Sequence, residues 1–177
     1  MKTLAYGFDE AVTKKIQSWP AGVWPVMHLV TIVGRPMFTV PIGLAVLGYG
    51  WLVGEAVLYD SGGIILVTQA VGLALKYILR RPRPATEYVA RMRFQTFSLP
   101  SGHAVGSVVS YGTLALLLAV HVGGLIGITV SLLAIPFLLL IGVSRVYLGA
   151  HFPSDVIAGW SIGALGLAAI IIRIGVL

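Results

Sequence analysis

The sequence contains no cysteine, so a disulfide, a thiolate nucleophile and a thiolate metal site are all excluded. It is also poor in charge, since only 10% of its 177 residues are Asp, Glu, Lys or Arg, against ~25% in a typical soluble protein. Hydrophobic residues make up 58% of the chain. This composition excludes a disordered chain and indicates a protein that lies in a membrane.

The few charges leave long apolar stretches between them, at 16–34, 36–54, 61–75, 94–144 and 156–172. A helix that crosses a bilayer needs ~20 mostly apolar residues. We therefore predict an all-α integral membrane protein, a compact bundle of about five transmembrane helices. The predicted spans are 37–54, 60–79, 104–122, 125–143 and 156–175.

The N-terminal residues have a different pattern. Phe8, Val12 and Ile16 recur every four residues among charged neighbours, which predicts an amphipathic helix over 7–18 that lies in the membrane interface. The acidic pair that follows Phe8 interrupts the apolar core that a signal peptide would need, so we expect no cleaved leader.

The chain is predicted to divide into an N-terminal interfacial segment, residues 1–35, and a membrane domain, residues 36–177. The apolar piece 26–34 is too short to span a bilayer before Arg35 and Pro36 interrupt it, so it should pack at the interface or insert halfway. The glycine pairs at 62–63 and 123–124 are predicted to mark the two short turns on one face of the bundle.

Polar residues concentrate on the opposite face. Consecutive antiparallel spans would bring three clusters together there: Lys76 with Arg83, then Ser101, Gly102 and His103, then Arg145 with His151 and Asp155. Ionisable residues at the ends of apolar helices are costly unless they have a function. Arginine and lysine bind phosphate oxygens, and the unpaired amides at a helix start form an anion site, so the clusters predict a phosphate-transfer site.

The two histidines have distinct predicted roles in that site. His151 and Asp155 are four residues apart, so on a helical first turn the carboxylate could hold one imidazole nitrogen and leave the other free to attack phosphorus. Pro153 suits a helix start between them. His103 is then the candidate general acid for the leaving alkoxide.

These clusters resemble a known family. K-x6-R-P at 76–84, P-S-G-H at 100–103 and S-R-x5-H-x3-D at 144–155 resemble the three signature motifs of the type 2 phosphatidic acid phosphatase superfamily, which also contains vanadium haloperoxidases. All motif positions match in order, and the resemblance covers residues 37–175.

The resemblance implies a role for each motif residue. His151 would form a phosphohistidine, Asp155 would orient it and His103 would protonate the leaving group. The phosphate would be held by Lys76, Arg83, Ser101, Gly102 and Arg145. The family works without a metal, so neither a metal nor another cofactor is expected, and among the six acidic residues only Asp155 lies in a motif.

Other polar residues receive no chemical role at this stage. Arginines that flank a span are commonly anchors at the membrane surface, the interpretation we adopt for Arg80, Arg81, Arg91 and Arg93. His28 and His121 are predicted to be structural or interfacial, because both lie away from the three motifs.

The predicted function is metal-independent hydrolysis of a phosphate monoester or diphosphate on a membrane lipid, which releases inorganic phosphate. Phosphatidate, phosphatidylglycerophosphate, polyprenyl phosphate or diphosphate and lipid-linked sugar phosphates are all candidate substrates, and membrane lipids surround the bundle. Nucleic acid is not an expected partner, since a chain this apolar has little soluble surface for it. The alternative is a small membrane transporter or anion-binding protein that uses the same basic residues as a binding relay.

The expected location is a multi-pass protein of the cell membrane, but two arguments disagree about its orientation. Of the 12 Lys and Arg residues, only Arg173 lies on the face opposite the motifs, so the positive-inside rule predicts that the site faces the cytoplasm. The superfamily commonly directs its site outward. We expect the cytoplasmic orientation.

Overall fold

The structure is a computed structural model that describes residues 2–92 and 96–175, with the backbone alone for residues 2–5. Within these ranges the chain forms α-helices, a short 3₁₀-helix at Ala21–Val23, and turns. The helices are α1 (Lys2–Gln17), α2 (Trp24–Val33), α3 (Pro36–Val53), α4 (Ala56–Leu79), α5 (Glu87–Ala90), α6 (Gly102–Val122), α7 (Gly124–Tyr147) and α8 (Pro153–Ile174).

The predicted five-span bundle is confirmed. Among the described residues, five stretches are long and apolar enough to cross a membrane, and they comprise α4, α6, α7, α8 and a first stretch, Ala21–Val53, that joins α2 to α3. The chain breaks at Gly34 and Arg35, and Pro36 then occupies the first turn of α3, where its missing N–H is harmless. The observed spans agree with the predicted ones to within a few residues at most boundaries.

One predicted turn is wrong. Gly62 and Gly63 lie inside α4, and the turn between α3 and α4 is at Gly54, where φ is 74°. Gly62 is buried instead against α3, because an added Cβ would lie 2.2 Å from the Leu47 backbone nitrogen. The pair therefore permits close packing of two spans, a common use of glycine in membranes. The other predicted turn is confirmed at Gly123, where φ is 66°.

Helix α6 is central and packs against α3, α4, α7 and α8. Its contact with α8 is unusually close, since a Cβ on Gly159 would lie 2.7 Å from the Ser101 carbonyl oxygen. Gly163 contacts α6 in the same way one turn further along. These small residues bring the first turn of α6 directly beside the first turn of α8, and both turns carry predicted site residues.

The N-terminal segment packs onto the same end of the bundle. Helix α1 contacts α7 and α8, and its Ile16 covers a cluster formed by Ala104, Val146 and Val156. Phe8 is exposed, as a helix at a membrane surface requires, but the location of α1 in the interface remains a prediction. Asp9 does not face solvent as Glu10, Lys14 and Lys15 do, because it is almost completely buried.

Candidate active site

The predicted site residues come from four separate parts of the chain, and the structure brings them to one end of the bundle. Lys76 ends α4, Arg83 lies in the connection after it, and Ser101 to His103 begin α6. Arg145 is in the last turn of α7, and His151 precedes α8.

Arg83 holds His151. Its Nη1 lies 3.1 Å from His151 Nε2 and donates to the Ala150 carbonyl oxygen at 2.9 Å, while its Nε donates to the Thr96 carbonyl oxygen at 2.6 Å. Because a guanidinium has no lone pair, Nε2 must be the acceptor in this contact. The proton of a neutral His151 is therefore on Nδ1, and Nε2 carries the lone pair, which accepts from Arg83 in this structure.

Electrostatics keep that imidazole neutral. Burial, followed by the positive charges of Arg145, Arg83 and Lys76, holds the pKa of His151 well below its ordinary value. Burial and the charge of Arg145 also lower the pKa of Arg83. A neutral His151 in a ring of cations is suited to attack an anionic phosphorus centre, because the cations attract the phosphate without protonating the nucleophile.

Asp155 lies on the other side of His151, with a geometry different from the predicted one. His151 is outside the helix, which begins at Pro153, so the pair does not share a helical first turn. Nδ1 and Asp155 Oδ2 are 3.5 Å apart, longer than a normal hydrogen bond. Oδ2 accepts from the Phe152 amide at 2.9 Å, and Oδ1 accepts from Arg81 at 2.8 Å. The predicted helix start at Pro153 is confirmed.

Hydrogen bonds from Lys76 and from the Ser101 amide hold the start of α6 in place. Lys76 Nζ donates to the carbonyl oxygens of Phe97 at 3.2 Å and of Pro100 at 2.5 Å, so it holds the segment that leads into the helix. The Ser101 amide donates to the Asp155 carbonyl oxygen at 2.9 Å and is not free for an anion. The amides of Gly102 and His103 have no intrahelical acceptor and remain available.

His103 on α6 and Arg145 on α7 are the remaining site residues, and both contact α2 or the turn that follows it. The His103 ring packs against Gly34, where an added Cβ would lie 3.2 Å from its Cδ2. Arg145 Nη1 donates to Thr31 Oγ1 at 2.5 Å and to the Tyr88 hydroxyl at 3.3 Å. Helix α2 and the turn after it thus supply contacts that sequence reasoning did not anticipate.

Unpaired polar atoms accumulate here. Within the described ranges, seven buried side-chain nitrogen or oxygen atoms lack a hydrogen-bond partner, and four belong to predicted site residues: Ser101 Oγ, His103 Nε2, Arg145 Nε and His151 Nδ1. His151 Nδ1 faces Asp155 Oδ2. An unpaired buried polar group costs about 1–3 kcal/mol, so the other three indicate a site that accepts a polar ligand. The donors among them suit an oxyanion.

Sequence reasoning missed Arg81. It is not a membrane anchor, because only 19% of its side chain is exposed and it forms ion pairs with Asp9 at 2.6 Å and with Asp155 at 2.8 Å. Its position inside the first motif, next to Pro82 and Arg83, was the only available signal. Asp9 gave none, since it lies 72 residues away in a helix with charges on several sides.

The remaining residues that received no chemical role lie away from the motif side chains or outside the described ranges. Arg80 is exposed, and Arg91 forms an exposed pair with Glu87 at 3.2 Å. His121 is exposed at the far end of α6, and the His28 ring stacks on Trp24 with centroids 4.7 Å apart. Arg93, also predicted to be an anchor, lies outside the described residues. No cluster of three or more His, Asp or Glu side chains suited to a metal occurs among the residues described.

Comparisons with known proteins match most of the chain. A sequence model of the PAP2 superfamily matches residues 57–175. Phosphatidylglycerophosphatase B of Bacillus subtilis is 31% identical over 170 residues, which cover 89% of this chain and 78% of that protein. An undecaprenyl-diphosphatase of Sulfolobus acidocaldarius is 36% identical over 111 residues, 58% of this chain and 50% of that protein.

Solved structures agree. The transmembrane PAP2 type phosphatidylglycerolphosphate phosphatase from Bacillus subtilis superimposes with a TM-score of 0.73 at 28% identity, covering 92% of this chain and 82% of that one. Aquifex aeolicus LpxE gives a TM-score of 0.68 at 20% identity, with 91% and 93% covered, and supports the fold alone. The named phosphatases among the relatives favour the phosphatase interpretation of the motifs over the transporter alternative.

Proposed function

The chain belongs to the type 2 phosphatidic acid phosphatase (PAP2) superfamily and hydrolyses phosphate esters of membrane lipids, and we propose that His151 Nε2 is the atom that attacks phosphorus. The observation that carries this assignment is the contact of 3.1 Å between Arg83 Nη1 and Nε2. It fixes the tautomer in which Nε2 carries the lone pair, and it places a phosphate-binding guanidinium beside that nitrogen.

The first half of the reaction transfers the phosphoryl group to the enzyme. Nε2 forms a bond to phosphorus while the bond from phosphorus to the lipid oxygen breaks. His103 donates its proton to that oxygen, so the lipid leaves as an alcohol and a phosphohistidine remains. Asp155 supports the positive charge that develops on His151, from 3.5 Å away at Nδ1.

The second half releases the phosphate. Water attacks phosphorus, His103 now accepts the water proton, and the bond between phosphorus and Nε2 breaks. Inorganic phosphate leaves and His151 is neutral again. His103 therefore acts first as an acid and then as a base, which requires it to lie on the leaving-group side of the phosphate.

We propose that donor groups of the protein stabilise the negative charge of the transition state. Arg83 and Arg145 offer forked donors, Lys76 offers a point charge, and the amides of Gly102 and His103 point from the start of α6. The free Nε of Arg145 and the free hydroxyl of Ser101 suit phosphate oxygens. We propose that this set replaces a metal ion in the reaction.

Among candidate lipids, we propose phosphatidylglycerophosphate as the first to test. The relative whose name contains this activity matches more of this chain, 89%, than the undecaprenyl-diphosphatase, 58%. We also propose the cell membrane as the location, with the site in the cytoplasm, because the cations outside the motifs gather at the end of the bundle where the motifs lie.

The deciding experiment measures inorganic phosphate released by the purified protein in detergent, with phosphatidylglycerophosphate and excess EDTA. We expect turnover that EDTA does not reduce, and a labelled phosphoenzyme after rapid quenching at mild alkaline pH. His121→Ala is the matched control, since this histidine is exposed at the far end of α6. Turnover that is lost in EDTA and restored by Mg²⁺ would contradict metal independence.

The same assay separates substrates. Polyprenyl diphosphate and phosphatidate are presented at equal mole fraction in the detergent micelle, and kcat/KM is compared. A higher kcat/KM for either lipid would reject phosphatidylglycerophosphate as the preferred substrate and leave the phosphatase assignment intact.

A further inference from the structure

A buried ionic network joins the N-terminal helix to Asp155. Arg81 Nη2 contacts Asp9 Oδ2 at 2.6 Å, and Arg81 Nη1 contacts Asp155 Oδ1 at 2.8 Å. Ser154 closes the network, because its amide donates to Asp9 Oδ1 at 2.9 Å and its hydroxyl to Oδ2 at 2.7 Å. One guanidinium therefore holds two carboxylates from opposite ends of the chain.

The network is shielded from water. The side chains of Asp9 and Asp155 are 2% and 0% exposed, and the guanidinium carbon of Arg81 lies 4.5 Å from the centre of the Phe152 ring. Burial of a charge is costly unless the partners are close and well oriented. A helix needed only as a surface anchor has no reason to bury a carboxylate, so the placement of Asp9 requires another explanation.

We propose that Asp9 and Arg81 are positioning residues that act on His151 through Asp155. The inference rests on the proposed function, since it concerns the same nucleophile. It makes α1 a part of the active site and not only a membrane contact.

The contacts define how the positioning works. Arg81 fixes Asp155 Oδ1 and the Phe152 amide fixes Oδ2, so the carboxylate cannot rotate away from His151 Nδ1. Asp9 takes part of the positive charge of Arg81. Without Asp9, the positive charge of Arg81 would act on Asp155 alone and would neutralise its carboxylate more completely. Less negative charge would then face the His151 imidazole as it becomes positive during attack.

The test compares steady-state kinetics of Asp9→Asn, Arg81→Gln and the double variant, per mole of folded, monodisperse protein. We expect kcat to fall roughly 10- to 100-fold, the loss typical of a reacting group displaced by about 1 Å, with KM changed less than about 3-fold. The double variant should match Arg81→Gln alone. Arg91→Gln is the matched control, because it breaks an exposed pair with Glu87.

A merely structural role gives a different pattern. It would lower the yield or melting temperature and leave kcat per folded molecule unchanged, and that result would overturn the proposal. Losses that multiply in the double variant would also overturn it, because the two residues would then act independently.

Arg81→Lys covers the case in which Arg81→Gln does not fold. Lysine keeps the charge but lacks the fork that reaches both carboxylates, so we expect an intermediate kcat. A kcat equal to that of the wild type in Arg81→Lys and in Asp9→Asn would end the proposal. His151→Ala in the same assay keeps the two hypotheses apart, because only its activity bears on the nucleophile.

Discussion

Each end of the bundle contains an arginine paired with an aspartate, and the two pairs are alike in length but not in surroundings. Arg173 and Asp60 are 2.7 Å apart with side chains 42% and 40% exposed, whereas Arg81 and Asp9 are 2.6 Å apart with side chains 19% and 2% exposed. An exposed pair contributes about 0–1 kcal/mol. The comparison teaches that burial of charge, not the presence of charge, distinguishes the end of the bundle that carries the chemistry.

The largest expected effect contrasts histidines at the two ends. His151→Ala should lower turnover on the order of 10⁴-fold or more and abolish the trapped phosphoenzyme, as expected when a nucleophile is removed. His121→Ala at the far end of α6 should remain fully active. Phosphate release and phosphoenzyme labelling measure both, and an active His151→Ala enzyme would refute the nucleophile assignment.

The second effect depends on the leaving group. His103→Ala should slow hydrolysis of a lipid phosphate by roughly 10²–10⁴-fold, because the alkoxide needs a proton to depart. With p-nitrophenyl phosphate the rate of phosphoenzyme formation, measured as the initial burst of p-nitrophenol, should fall much less, since that leaving group departs without protonation. Equal losses in the rate of phosphoenzyme formation from both substrates would show that His103 is not the general acid.

The third effect compares vanadate inhibition in variants of Arg145 and Arg173, which lie at opposite ends of the bundle. Vanadate, which resembles the five-coordinate transition state, should inhibit the enzyme, and EDTA alone should not inhibit it. Arg145→Lys should weaken inhibition roughly 10- to 100-fold, equivalent to one charge-assisted hydrogen bond, because lysine lacks the fork. Arg173→Lys should leave the inhibition constant unchanged, and a comparable loss there would remove the distinction between the ends.

The free energy of unfolding should also depend more on the buried Asp9 than on the exposed Asp60. Asp9→Asn leaves buried donors of Arg81 and Ser154 without their carboxylate and should cost about 1–3 kcal/mol of unfolding free energy. Asp60→Asn should cost at most about 1 kcal/mol, since its pair with Arg173 is exposed. Thermal melting in one detergent compares them directly, and equal shifts would contradict the role given to burial.

The last pair of variants should not change turnover, and it tests which side of the membrane the site faces. Glu87 and Glu55 are exposed near opposite ends of the bundle, and the native chain has no cysteine. Glu87→Cys and Glu55→Cys should both keep normal turnover. If the site faces the cytoplasm, a membrane-impermeant thiol reagent labels only Glu55→Cys in intact cells, and the reverse pattern would show an outward-facing site.

Features set by local composition were predictable from the sequence, and features set by tertiary contacts were not. Apolar length predicts five spans because a bilayer imposes it. The glycine pair at 62–63 misled because glycine serves turns and close helix contacts alike, and only the approach of Leu47 distinguishes them. The motif residues were identifiable from their order, whereas the actual distance between His151 and Asp155 depends on where α8 begins.

The ion pair between Arg81 and Asp9 shows most clearly what could not be predicted from the sequence. Asp9 reaches it from another part of the chain, and no local pattern marks a residue that becomes buried only when α1 docks on α7 and α8. Arginines at span ends are ordinarily anchors, so the general rule predicted the wrong surroundings. A pairing over this separation follows from the whole bundle and not from the sequence near either residue.

The bond between the Ser154 amide and Asp9 spans 145 residues, which has a consequence for biosynthesis. At roughly 5–20 residues per second, a ribosome needs about 7–30 s to make the chain between them. During most of that interval α1 has emerged, Asp9 lacks its Ser154 partner, and His151 has not been translated. The site is therefore incomplete until α8 enters the bilayer, so a chain that stalls earlier cannot dephosphorylate the lipids around it.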